Sequence, residues 1–296
     1  MKGFLINEVI EKIESVNAKD WENYIREDIK IKGFFNPITE TEYKGLNKLT
    51  LLIDFIFNKR KSYKYATFKQ ISENELKLKK GSKGITIEYF NRSIKNINTQ
   101  KTIQKDEFLA LTDSEKQNYT ITKFLKSYKV FNFDDIENYK DEENFSEIEN
   151  FSSEEENIFL NNLIEKNQID CEYYDNSVAC YSPSNHKIYM PFKEYFKNND
   201  AFLATYFHEI IHWTKKDIKR DFENLKNNKY ALEELVAEMG SMLLMFEINN
   251  YNEFKNSLCY LKGWLKNSDD KVNQLTKAFS NSKKAVNFLI NKESSI

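Results

Sequence analysis

From Leu5 to Val16 the apolar residues Ile6, Val9, Ile10, Ile13 and Val16 recur at helical spacing, so the chain is expected to open with an amphipathic helix. Turn-forming residues follow in Gly33-Phe34-Phe35-Asn36-Pro37-Ile38-Thr39, and Tyr43-Lys44-Gly45-Leu46-Asn47 leads into a second predicted helix, Lys48 to Phe57. Tyr63 to Thr67, Ile85 to Phe90 and Tyr128 to Phe133 carry the short apolar or alternating runs of strands. Ile85, Ile87 and Tyr89 would share one face, after a turn at Lys79-Lys80-Gly81-Ser82-Lys83-Gly84.

The second half reads differently. A helix is predicted over Glu154 to Asn167, then strands over Ile169 to Tyr174 and His186 to Met190. Asp200 stands where an N-cap is expected, ahead of a helix over Ala201 to Lys215. Tyr230 to Glu247 places Leu232, Leu235, Val236, Met239, Leu243 and Phe246 on one helical stripe, and Phe254 to Asn291 reads as helical throughout. The fold class is α+β: a small N-terminal α/β domain and a mostly helical C-terminal domain with a short sheet. Eleven acids and one base fall between Asp134 and Glu156, a self-repelling stretch suited to a connector. The expected division is 1–133 for the first domain, 134–152 for an acidic linker and 153–296 for the second domain.

Composition sharpens this division. The net charge of −2 conceals 25 Lys+Arg against 17 Asp+Glu up to residue 130, and 19 against 29 beyond it. A basic half suits a polyanionic partner, because Lys and Arg release counterions condensed on phosphates. No run of 18 apolar residues exists, and the start lacks the pattern of a signal peptide, so a cytoplasmic protein without a membrane partner is expected. Cys171, Cys180 and Cys259 are too few and too irregular for a disulfide framework and are read as reduced packing residues.

The chemistry is concentrated in His208-Glu209-Ile210-Ile211-His212. With three histidines in 296 residues, about 0.003 such motifs are expected by chance, which favours a metal site over a coincidence on an exposed helix. Residues four apart share a helix face, so His208 and His212 can reach one ion, while Glu209 stands about 100° away as a candidate general base. A third ligand is needed. Glu233, Glu234 and Glu238 lie on the next helix; Glu234 is the preferred ligand and Glu233 the runner-up, with Glu238, and Glu233 where it is not the ligand, as carboxylates supporting the histidines. A third histidine six residues after His212 is absent, since that position is Ile218. The expected cofactor is one Zn²⁺ per chain, another divalent ion being the alternative. His186, a lone histidine at a strand entrance, reads as a surface residue.

Several of these residues carry a likeness. Tyr181-Ser182-Pro183, Ile188-Tyr189-Met190-Pro191, His208-Glu209-Ile210-Ile211-His212-Trp213-Thr214, Arg220, Tyr230-Ala231 and Glu233-Glu234-Leu235-Val236-Ala237-Glu238-Met239-Gly240 resemble the zincin-like domain of the ArdC antirestriction proteins, with Tyr260, Trp264, Ala278 and Ala285 in the tail. Asn36-Pro37, Thr39, Tyr43, Gly45, Asn47, Thr67, Gln70, Lys80-Gly81, Lys83-Gly84 and Val130-Phe131-Asn132 are similar to that family's N-terminal single-stranded-DNA-binding domain. The chain departs from the family at Tyr65-Ala66-Thr67, where a Trp is usual, and residues 91–127 are longer and more polar than a minimal version. The resemblance implies an antirestriction protein of a plasmid, phage or other mobile element, binding single-stranded DNA and carrying a metallopeptidase-like domain.

Single-strand binding needs cations beside aromatic faces. Lys79, Lys80 and Lys83 beside Tyr89, and Lys59, Arg60 and Lys64 interleaved with Tyr63 and Tyr65, are the candidate contacts. The alternative function is a zinc-dependent peptidase or effector that cleaves a host protein, its first domain serving only to position substrate. A third reading keeps the metal as a purely structural ion.

Overall fold

The computed structural model describes residues 4–15, 33–139, 152–220, 222, 229–266, 268 and 270–291. Most of the acidic connector, 140–151, lies outside the described residues, as does Val16. The N-terminal half runs α1 (Phe4–Ser15), β1 (Phe35–Asn36), β2 (Thr41–Glu42), α2 (Leu46–Phe57), β3 (Tyr65–Thr67), α3 (Phe68–Glu73), β4 (Ile85–Asn96), β5 (Thr102–Ile103), α4 (Lys105–Leu109), α5 (Asp113–Lys116) and β6 (Tyr119–Asn132). The C-terminal half runs α6 (Ser153–Asn167), β7 (Asp170–Tyr174), β8 (Cys180–Ser182), β9 (Lys187–Pro191), α7 (Asn199–Asp217), α8 (Lys229–Glu247), α9 (Phe254–Leu265) and α10 (Lys271–Asn291). The fold is mixed α+β, with small sheets first and mostly helices after.

The first half centres on an antiparallel sheet of order β3-β6-β4-β5. β4 and β6 form a long ribbon, in register from Ile85 opposite Val130 to Asn96 opposite Tyr119. Both strands extend well beyond the apolar runs that announce them. At the distal end Ile121, Phe124 and Leu125 are exposed while Ile94 is buried, so no continuous buried face imposes an alternating pattern there. β5, α4 and α5 fill the distal connection, where Thr112 and Glu115 form a capping box on α5. This ribbon and its tip are what residues 91–127 build.

In the second half β9 lies between β7, parallel to it, and β8, antiparallel at the edge. Two local expectations are corrected. α7 is capped by Asn198, whose side chain accepts the Ala201 N–H at 2.8 Å, and Asp200 sits inside the first turn. An acid there still suits the positive end of the helix, and Asp200 accepts bonds from Asn250 and Asn252. The tail is two helices and not one. Ser268 and Asp270 turn their side chains onto the N–H groups of Asp270 and Asn273, which ends one helix and starts the next.

One apolar core serves both halves. Leu49, Leu52, Phe55 and Tyr65 of the first belong to the same buried cluster as Phe207, Ile211, Leu235 and Leu258 of the second. α1 buries Ile6, Val9, Ile10 and Ile13 against α2, α9 and α10. Lys48 of α2 is buried, and its Nζ donates to the carbonyl of Phe246 in α8 at 3.1 Å. Burial lowers its pKa, an effect partly offset by Glu42 and Glu247.

α7 and α8 approach closely where Gly240 faces Ile211; a Cβ on Gly240 would stand 2.6 Å from Ile211 Cγ1. Ile211 is fully buried and has nowhere to go. The substitution Gly240→Ala should therefore lower the urea midpoint. Overpacking costs about 1–3 kcal/mol, more than the gain of about 1 kcal/mol in helix propensity, and an unchanged or higher midpoint would show that the helices can part freely.

Candidate metal centre

α7 is apolar on one side, with Phe207, Ile210 and Ile211 fully buried, and this fixes how it presents the opposite side. His208 and His212, one turn apart, face α8 with their rings 4.8 Å apart. Their Nε2 atoms are 3.2 Å from each other, and the Glu234 carboxylate oxygens lie 3.5 Å from that of His208 and 3.6 Å from that of His212. One atom from each of the three residues falls within 4.8 Å of the others.

The opposite ring nitrogens explain why these atoms converge. His208 Nδ1 is 3.3 Å from Glu238, and His212 Nδ1 is 3.1 Å from Glu233. Once the rings are neutral, as a metal requires, each Nδ1–H donates to its carboxylate and the Nε2 lone pairs are aimed at one point. Glu233 is held in turn by Arg220, fully buried at its side chain, through bonds of 2.5 and 3.0 Å; the same guanidinium donates to the Ile211 carbonyl and the Thr214 hydroxyl. Two imidazole nitrogens and a carboxylate oxygen meeting in this way are the donor set of a divalent metal. The site is of the His-His-Glu metal-binding type.

Electrostatics agree with that geometry. Burial alone would lower the His208 pKa, but hydrogen bonds that its ring donates to Glu234 and Glu238 and the charges of Glu238 and Glu209 outweigh it and push it up to about 10. Burial likewise opposes ionisation of Glu233 and Glu234, yet both are held below the ordinary carboxylate value, by His212 and Arg220 in one case and by the two histidines in the other.

Glu209, nearly buried, accepts the Tyr181 backbone N–H of edge strand β8 at 2.7 Å. Three neighbours carried no assigned role in the sequence. Tyr181 fixes one oxygen of Glu209. His186 stacks on Trp213 at 4.8 Å, bonds the Tyr181 hydroxyl at 2.9 Å and so braces β8 over α7; it is half-buried, not a surface residue. Tyr230, one turn before Glu234, is exposed, and the charge of Glu234 raises its phenol pKa. The i, i+4 spacing from Tyr230 to Glu234 was the available signal.

The nucleic-acid candidates do not form one surface. Tyr63 and Tyr65 are buried, the latter with its hydroxyl on Asp54, so neither ring offers a face to a base. Arg60 bridges Asp54 and Asp135, Lys64 is buried against Tyr139, and Lys79 donates to the Asp134 carbonyl. Lys59, Lys80 and Lys83 are exposed near these turns, and Tyr89 lies apart on the sheet face.

Comparison with known proteins fits both halves. Residues 4–131 match the family model of the N-terminal domain of the anti-restriction factor ArdC, and residues 159–281 match that of a zincin-like metallopeptidase. The chain is of the ArdC type. This ArdC-type chain is 25% identical over 259 residues to a DNA primase TraC of Escherichia coli, covering 86% of the chain and 24% of the relative. A second DNA primase TraC is 24% identical over 260 residues, covering 86% and 17%. The chain thus spans less than a quarter of the length of these curated relatives. The metal-free crystal structure of ArdC from the R388 plasmid shares the fold with a TM-score of 0.60 at 21% identity, covering 97% of both chains. Its Mn(II)-bound form gives 0.59 at 20%, covering 98% and 99%.

Two outcomes are expected of the metal-free ArdC-type chain. In it, the stability that His208 contributes is fully present below its unfolded pKa of 6.5 and is lost as pH rises through about 10. A metal must displace that proton, so the rise in melting temperature on adding Mn²⁺ or Zn²⁺ should grow from pH 6 to pH 8; a rise that shrinks over this range would contradict the assignment. Glu238→Gln should weaken metal affinity by roughly 10–100-fold in a competition titration, because His208 loses the carboxylate that orients it.

Proposed function

We propose that this chain is an antirestriction protein of a mobile element, in which the N-terminal domain binds single-stranded DNA and the C-terminal domain is a zinc-dependent hydrolase of the peptidase type acting on a host protein. The convergence of His208, His212 and Glu234, with Glu209 beside them, carries the reading. It is supported by the match of the first half to the ArdC N-terminal domain and by the occurrence of both halves within relatives named as DNA primases.

His208, His212 and Glu234 would hold the ion, with Glu233 and Glu238 setting the ring orientations. When bound, such an ion supplies Lewis acidity that makes water a usable nucleophile near neutral pH. Glu209 would act as the proton acceptor. The Tyr181 N–H engages one of its oxygens, and the other has no partner among the described residues. Tyr230, whose phenol bonds Glu234, would turn to donate to a substrate oxygen once Glu234 engages the ion. Protection of incoming DNA then combines a strand-coating half with a half that acts on protein.

Glu209→Gln should leave bound metal unchanged by elemental analysis, while cleavage of an unfolded protein substrate falls by roughly 10²–10⁴-fold; full activity in the variant would remove Glu209 as the base. Affinity for a labelled 20-nucleotide single strand should drop steeply between 50 and 200 mM salt, and equally in wild type and variant. Binding that ignores salt would argue against a phosphate-contacting N-terminal domain.

A further inference from the structure

The four-stranded sheet carries an open groove of about 450 Å³ between β1–β2, the start of α3 and the β4–β6 ribbon. Asn36, Tyr43, Thr67, Gln70, Tyr89 and Tyr128 line it. They come from separate stretches of chain, and the first four are among the residues that carry the N-terminal likeness. None has a part in the metal centre.

The groove is chemically organised. Gln70 Oε1 accepts the Asn36 Nδ2 at 2.9 Å, the Thr67 N–H at 2.9 Å and the Thr67 hydroxyl at 2.8 Å. That fixes the amide plane, and the Gln70 Nε2 donors are left without a partner among the described residues. Asn36 is held too, its oxygen accepting the N–H groups of Ile38 and Thr39. The Tyr43 hydroxyl is engaged by the Tyr65 carbonyl at 2.9 Å. At the ribbon side, Tyr89 and Tyr128 meet edge to face at 6.2 Å, with Tyr89 39% exposed. Lys126 is opposite Tyr89 in the ladder, exposed, and its Nζ stands 5.0 Å over the Tyr128 ring.

An oriented amide donor, two aromatic rings at an open rim and a cation beside them match the three parts of a nucleotide: base edge, base face and phosphate. A volume of this order is that of a small-ligand site. We infer that this groove is a base-reading pocket, which accepts one unstacked nucleobase of the bound strand against Tyr89 and Tyr128 and hydrogen-bonds its edge through Gln70 Nε2, with Lys126 on the adjoining phosphate. The inference rests on the single-strand reading of the N-terminal domain and gives it a site. It also differs from the contacts expected from the sequence, of which only Tyr89 is retained.

Two measurements on the full chain test it. A 20-nucleotide thymidine strand with 5-iododeoxyuridine substituted through its length is irradiated on the protein, and adducts are mapped by mass spectrometry; adducts on Tyr89 or Tyr128 are expected. In parallel, affinities for a thymidine 20-mer and for an abasic 20-mer of the same backbone are compared. Wild type should favour the base-bearing strand by roughly ten-fold, as one stacked base warrants. Tyr89→Ala and Gln70→Glu should abolish that ratio. Glutamate keeps the acceptor that the Thr67 capping box needs but loses the donors, and its added charge weighs on both strands alike, so the ratio isolates base reading. Wild-type binding with adducts only elsewhere, or with the ratio intact in both variants, overturns the pocket and leaves strand binding standing. No wild-type binding to either strand overturns strand binding itself, and the pocket with it.

Discussion

The seating of α7 on α8 is the constraint on which everything at the metal centre depends. The two histidines come from one helix and the three supporting or ligating carboxylates from the other, so a small slide between the helices would dissolve the cluster. Gly240 lets the backbones approach at Ile211, and Arg220 ties Glu233 on α8 to the Ile211 carbonyl and Thr214 on α7. A buried ion pair is costly to desolvate and by itself is weak evidence for stability. Here every arm of the guanidinium is engaged, and the pair fixes alignment. The chemistry is thereby held on rigid elements, with its precision inherited from packing.

What was readable in the sequence follows from range. His208, Glu209 and His212 are governed by the 3.6-residue period, which a single helix enforces without help. Glu233, Glu234 and Glu238 could be assigned to one helix by its apolar stripe. Which of the first two faces the Nε2 atoms depends on α8's rotation against α7, and thus on residues far away: Arg220, thirteen positions earlier, holds Glu233, which lies at His212 Nδ1. The role of Tyr181 was hidden altogether, because its contact with Glu209 is made by a backbone N–H that no side-chain pattern encodes.

The basic half was harder to read for a related reason. Lys59 to Tyr65 looks like a charged aromatic surface until Asp54, Asp134 and Asp135 are folded onto it. Those acids neutralise Arg60 and turn the run inward. Tyr65 becomes core, its ring packed edgewise against Phe34 at 5.9 Å. The aromatic rings that can meet a ligand, Tyr89 and Tyr128, sit on the ribbon instead. The small sheet was legible as a class of element; its length was not.

The core that joins the halves has a consequence for descent. Lys48 reaches from α2 to the far end of the helix that bears Glu234, and α1 lies along α9 and α10. A chain so interleaved cannot shuffle its two modules as beads on a string. Either half moved to a new host protein would arrive with a raw apolar flank, so the pair is constrained to travel together, and drift on one side of the seam must be answered on the other.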